Sequence, residues 1–159
     1  MSKPSFVYVT YIATTAEKVW QALTDTNVTR RYWGPLKPDA NHTAPFENVS
    51  DWKPGSRWQH RQLDEAKTVG VVGKVLESTP PRRLVLTWAR PNDADDPEKT
   101  SRVTFDIEPQ GDGLVKLTVL HEDLDPEMHR GIAGGWPQIL SNLKTLLETG
   151  DPLRVLGQA

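Results

Sequence analysis

The stretch DPEMHRGIAGGWPQILSNLKTLLETG, residues 125–150, decides how the rest of the chain is read. Asp125 followed by Pro126 is a helix start. The carboxylate can cap a free backbone N–H, and proline at the first helical position gives up no bond the helix would make. Trp136, Ile139, Leu140, Leu143, Leu146 and Leu147 then recur at the spacing of one helical face. Gly150 stands where a left-handed residue closes a helix. Gly134-Gly135 weakens the helix and Pro137 removes one internal bond, so a kink or break is predicted near 134–137. Gly131, Gly134 and Gly135 read as close helix packing, with a hinge as the alternative. A long amphipathic helix of this kind needs a surface on which to bury its stripe.

The residues before it supply that surface. Residues 6–12 are dense in β-branched and aromatic side chains and read as a strand. Thr14 and Thr15 offer an N-cap, and Thr14 with Glu17 has capping-box spacing. Ala16, Val19, Trp20 and Leu23 mark a helix, and Asp25 or Asn27 restarts a second short one through Trp33, stopped by Gly34-Pro35. After a polar loop over 35–45 come further strands: 46–52, 56–62, 68–78, 82–89, 101–109 and 114–122. Gly70 and Gly73 mark a bulge or bend in one of them. Residues 111–113, Gly-Asp-Gly, form a hairpin turn between the last two. Residues 91–99 are a solvated acidic excursion. The class is α+β: an antiparallel sheet of about six to seven strands covered by the C-terminal helix, with two short helices after the first strand. Residues 1–150 form one domain and 151–159 a tail.

Composition excludes several functions. The 159 residues fit one domain that buries enough surface to stand without staples. With 19 basic and 21 acidic residues, the balance is wrong for a nucleic-acid binder, and Arg30-Arg31 and Arg82-Arg83 are too small a footprint. The absence of cysteine removes disulfides, thiolate ligands and a cysteine nucleophile. No apolar run approaches the roughly 20 residues of a membrane span, and the start of the chain lacks the look of a secretory signal, so no membrane insertion and a cytoplasmic location are expected. The histidines, His42, His60, His121 and His129, show no metal-ligand spacing. No serine sits in a nucleophile elbow, and no glycine-rich loop could cradle a phosphate. No metal, cofactor or catalytic residue is assigned.

Residues 12–25, Ile-Ala-Thr-Thr-Ala-Glu-Lys-Val-Trp-Gln-Ala-Leu-Thr-Asp, with Trp33 beyond them, resemble the opening of the START-like (SRPBCC) superfamily. Within it they are most similar to the branch named after the activator of the heat-shock protein 90 ATPase. Pro80-Pro81-Arg82-Arg83-Leu84 leading to Trp88, and Gly135-Trp136 with Leu140 and Leu143 behind, extend the resemblance from about Phe6 to Gly150. It implies a helix-grip fold, in which a strongly curved sheet wraps the C-terminal helix and encloses a cavity for an apolar ligand. Two departures stand out. Pro137 directly follows Gly135-Trp136, and the chain is read as lacking the separate N-terminal domain of two-domain chaperone activators, which counts against chaperone activation.

Six tryptophans are the oddity of the composition. Alternation puts Trp58, His60 and Gln62 on one strand face and Arg57, Gln59 and Arg61 on the other, so the first should point inward. Leu84, Leu86 and Trp88 share a face, as do Val103, Phe105 and Ile107. His121 follows Val115, Leu117 and Val119. Met128, Ile132 and Trp136 lie along the helix, with Ile139 beyond. These faces meet if the helix covers the sheet. The expected ligand-binding residues are therefore Trp33, Trp58, His60, Trp88, Phe105, His121, Met128, Ile132, Trp136 and Ile139. An apolar, aromatic lining with a few polar groups suits a small hydrophobic or aromatic molecule held without catalysis. The alternatives are a cyclase- or hydrolase-type enzyme using a cavity histidine, and a module whose partner is a chaperone or regulatory protein.

Overall fold

Alternating side chains at Phe6–Ile12 (β1) lead into two short helices, Ala16–Thr24 (α1) and Thr26–Tyr32 (α2). Six strands follow: Phe46–Ser50 (β2), Arg57–Gln62 (β3), Val69–Thr79 (β4), Arg83–Trp88 (β5), Ser101–Pro109 (β6) and Val115–Glu122 (β7). Pro126–Thr149 (α3) ends the fold. This computed structural model describes residues 3–33, 46–62 and 67–153. The expected loop at 35–45 and the tail beyond Leu153 lie outside them. The seven strands form one sheet in the order β1-β7-β6-β5-β4-β3-β2, each neighbour antiparallel. This is the α+β helix-grip arrangement, with chain-adjacent strands paired except where β7 brings the sheet back to β1.

One face of the sheet is apolar because the period of two is kept in every central strand. Val115, Leu117, Val119 and His121 of β7 are buried, as are Val103, Phe105 and Ile107 of β6 and Leu84 and Leu86 of β5. Trp136, Leu140, Leu143 and Leu146 of α3 join them in one core with Val19 and Leu23 of α1.

Helical side chains cover part of each sheet edge, satisfying some of the backbone groups that would otherwise invite association. At β2, the Thr26 hydroxyl donates to the Asn48 carbonyl (2.9 Å) and Thr29 Oγ1 accepts from the Asn48 N–H (3.1 Å). Beside β1, Lys144 Nζ donates to the Tyr11 carbonyl and also meets Glu148 (both 2.6 Å), while Glu148 Oε2 accepts from the Ala13 N–H (2.8 Å).

Several local expectations change. The cap of α1 is Thr15, whose hydroxyl accepts from the Lys18 N–H, so Thr14 and Glu17 make no capping box; Thr14 is buried instead. Asp25 caps α2, and the helix ends at Tyr32 with Trp33 as its C-cap. The bulge expected near Gly70 is present: His60 pairs with Val71 and Arg61 with Val69, leaving Gly70 over. α3 starts and stops as read, with Asp125 accepting from the Met128 N–H (2.7 Å) and Gly150 left-handed at φ 91°. It is not broken at 134–137. Pro137 costs one bond, and burial of Trp136, Leu140 and Leu143 sets the helix path on both sides of it. The glycines are not a packing device either. A Cβ built on Gly131, Gly134 or Gly135 meets nothing within 4 Å.

Candidate functional site

Trp136 stands at the centre of a set of rings. Its centroid lies 5.5 Å from Trp33, 5.6 Å from Trp88, 5.9 Å from Phe105 and 6.1 Å from His121. Trp58 extends the set beyond Trp88 (5.4 Å), and His60 beyond Trp33 (5.7 Å). Ile132 and Ile139 pack on the hydrophobic core that contains these rings, and Met128 joins through Ser101. The fold thus brings together all ten residues singled out in the sequence. Trp58, Phe105, His121 and Trp136 are fully buried, whereas His60, Trp88, Ile132 and Ile139 are half-buried.

Trp58 owes its position to a glycine. It pairs with Gly73 across β3 and β4, and its indole reaches past the missing side chain to donate to the Thr87 carbonyl of β5 (2.8 Å). The β4–β5 ladder is interrupted there, between the Val72–Ala89 bridge and the Val75–Leu86 pair. The Thr87 hydroxyl accepts the Lys74 N–H (2.7 Å), so side chains replace the missing ladder bonds.

His121 has both ring nitrogens occupied. Trp136 Nε1 can only donate, so His121 Nδ1 accepts (3.1 Å) and the proton sits on Nε2, which faces Ser101 Oγ at 2.8 Å. Ser101 in turn donates to the Trp88 carbonyl (3.0 Å). The serine–histidine pair therefore has the tautomer opposite to the one that would draw a proton from the hydroxyl. Burial pushes the His121 pKa down to about 3, so the ring is neutral.

His60 is differently placed. It stacks on Phe46 (4.8 Å, 12° between planes), and Nδ1 lies 2.7 Å from Asn48 Oδ1. Burial lowers its pKa to about 4, so it carries one proton, which the amide oxygen fixes on Nδ1. Nε2 is left as an acceptor without a partner among the described residues. Sequence reasoning missed Phe46, Asn48 and Ser101. Ser101 was legible, since it extends the Val103–Phe105 alternation by one step. Asn48 was not, because facing His60 depends on the β2–β3 register.

One flank of α3 carries Asn142, Gly135 and Gly131. Asn142 donates from Nδ2 to the Tyr32 carbonyl (3.0 Å), which turns its helical face toward the end of α2. Gly135 and Gly131 lie two and three turns earlier on that face, where built Cβ atoms meet nothing. Among the described residues, nothing therefore fills this flank of α3 next to Ile132, Trp136 and Ile139. Among the described residues, no group of three His, Asp or Glu could hold a metal ion. No helix among them is long and apolar enough to cross a membrane.

The family described as "Activator of Hsp90 ATPase homolog 1-like protein" matches residues 13–148. No curated protein sequence matches the chain. Solved structures share the fold. MLL2253 from Mesorhizobium loti superposes with a TM-score of 0.69 at 25% identity, over 93% of this chain and 99% of that one. CalU16 from Micromonospora echinospora does so at 0.68 and 20%, over 92% and 77%. PFC0360w, an HSP90 activator from Plasmodium falciparum, gives 0.68 and 19%, over 90% and 95%.

Proposed function

This chain belongs to the family of Activator of Hsp90 ATPase homolog 1-like proteins, and we propose that within it the protein holds a small apolar or aromatic molecule between sheet and helix, as a carrier or sensor without catalysis. The observation that carries this reading is the ring cluster around Trp136, with half-buried Trp88 and His60 at its two ends and, among the described residues, nothing within 4 Å of a Cβ built on Gly131 or Gly135. An apolar wall with one oriented polar group is what a small-molecule site requires. His60 Nε2 supplies that group. It accepts, so the preferred ligand carries a hydroxyl or N–H donor on an apolar body, as a phenol does. Acid–base catalysis has weak support. His121 is locked in a neutral, doubly bonded state, and the partner of His60 is an amide, not a carboxylate. The same reading expects the protein in the cytoplasm.

Tryptophan emission during titration with phenols, fatty acids and polycyclic aromatics tests the proposal. A saturable change is expected with at least one class. Gly135→Leu, which fills open space, should weaken it tenfold or more while the fold is kept. An unresponsive panel, together with native mass spectra free of any co-purified molecule, would remove the reading. The family match favours a second reading, a chaperone co-factor. Unchanged Hsp90 ATPase at saturating protein would exclude it.

A further inference from the structure

The hydrophilic face of β3 does not belong to the aromatic site. Arg57, Gln59 and Arg61 point to the outer side of the sheet. Arg61 is committed to Glu47 (2.8 Å), a buried carboxylate that also meets Arg30 (3.2 Å). Arg57 is not committed. It pairs across the ladder with Lys74 of β4, so two cations stand directly opposite each other. Opposed strand residues have Cβ atoms roughly 4.5–5.5 Å apart, and like charges there destabilise the sheet. Among the described residues, neither Arg57 nor Lys74 makes an ion pair.

Both line a cavity of about 490 Å³ on this outer face. Its other wall is the segment between β5 and β6, which makes two single-turn 3-10 helices at Pro91–Asp93 and Pro97–Lys99 and folds back over the sheet. The sequence presents that segment as a solvated excursion. In the structure its Pro91, Ala94 and Pro97 line the cavity together with Val72 and give it apolar surface. Asp95 also lines the space, outside ion-pairing distance of both cations, so one positive charge is left in excess.

We propose that this cavity binds a small organic anion: one acid group, carboxylate or phosphate, held between Arg57 and Lys74, joined to an apolar body about one ring in size lying against Val72 and the prolines. The volume falls within the roughly 300–1,000 Å³ of small-molecule sites. The facing cations explain the chemistry. An anion between them removes their repulsion, and the guanidinium supplies a planar fork for two oxygens. The cavity borders the aromatic interior through Trp58 and Gly73, but its anion-binding cations lie on the outer face, so the proposal does not rest on the interior site.

Amide and side-chain NMR of the whole chain tests the proposal, with phenylphosphate and benzoate as probes. The saturable shifts expected fall on Gln59, Lys74, Thr87 and Thr100. Benzamide, which lacks the charge, and inorganic phosphate, which lacks the ring, should each bind at least tenfold more weakly. Arg57→Gln and Lys74→Gln should each weaken phenylphosphate tenfold or more and, by relieving repulsion, leave Tm unchanged or raised. Arg102→Gln, on an exposed cation paired with Glu122 (3.0 Å), should leave binding as it was. Non-saturating shifts spread over all surface cations would overturn the proposal, as would binding indifferent to Arg57→Gln and Lys74→Gln. Binding that appears only in Asp95→Asn would overturn it too, since Asp95 would then be the occupant.

Discussion

A methyl group on Gly73 would stand 1.9 Å from the Thr87 carbonyl oxygen and 2.5 Å from Trp58 Nε1. Neither neighbour can move cheaply. One is backbone, and the other is a buried indole already bonded to that same carbonyl. Gly73→Ala should therefore cost about 2–4 kcal/mol, overpacking together with a lost hydrogen bond, read as a lower urea midpoint at unchanged slope. The same residue scale separates the two histidines of the site. His121 is spoken for on both nitrogens, whereas His60 has a partner on one nitrogen only among the described residues. From sequence both were inward-facing strand histidines, His60 beside Trp58 and His121 at the end of an apolar alternation. The difference comes from Trp136 and Ser101 reaching His121 from α3 and β6, and from Asn48 reaching His60 from β2. Those partners lie 12 to 20 positions away and are set by register and packing.

Among the elements, α3 concentrates the tension between local propensity and tertiary packing. It carries Gly131, Gly134, Gly135 and Pro137, yet runs unbroken. The glycines are exposed or half-exposed with open space where a Cβ would go, so they lower helix stability without a packing return. Gly131→Ala and Gly134→Ala should each stabilise the protein by about 0.5–1 kcal/mol, visible as a raised Tm. A loss of stability in either would mean that the glycine serves a conformation other than this helix. The β2 edge gives the opposite case. Thr29 is fully buried, and its hydroxyl covers the Asn48 N–H. Thr29→Val keeps the shape but leaves that donor unpaired, at about 1–3 kcal/mol. It also exposes a strand edge, so faster aggregation by light scattering should accompany the lower midpoint.

The molecule as a whole should be acid-sensitive in two windows. His60 and His121 are held well below the ordinary histidine value, so the unfolded chain binds their protons first. Stability from them is full above roughly pH 6.5 and falls as pH drops toward their folded values, by about 1.4 kcal/mol per pH unit for each. Asp125, bonded by the Met128 N–H, and Glu148, bonded by Lys144, are also depressed. Their contribution is present above the ordinary carboxylate range and lost only below it. Equilibrium unfolding between roughly pH 7 and 4 should thus show uptake of close to two protons on unfolding near pH 5. A flat profile over that range would contradict the burial of the two rings.

Much of this molecule was written in local chemistry. Periods of two and of 3.6, the Asp125-Pro126 start and the Gly150 stop specify four inward strand faces and one covering helix, because each depends on neighbours within a few residues. That Trp58, Phe105, His121 and Trp136 are buried together followed as well, since a covered sheet has only one inside. The N-cap at Thr15, the unbroken path of α3 through Pro137 and the open flank at Gly131 and Gly135 did not follow. Nor did the locked tautomer of His121 or the facing of Arg57 and Lys74. Each of these depends on which residue of a distant element arrives opposite, and strand register and helix rotation settle that only when the core closes.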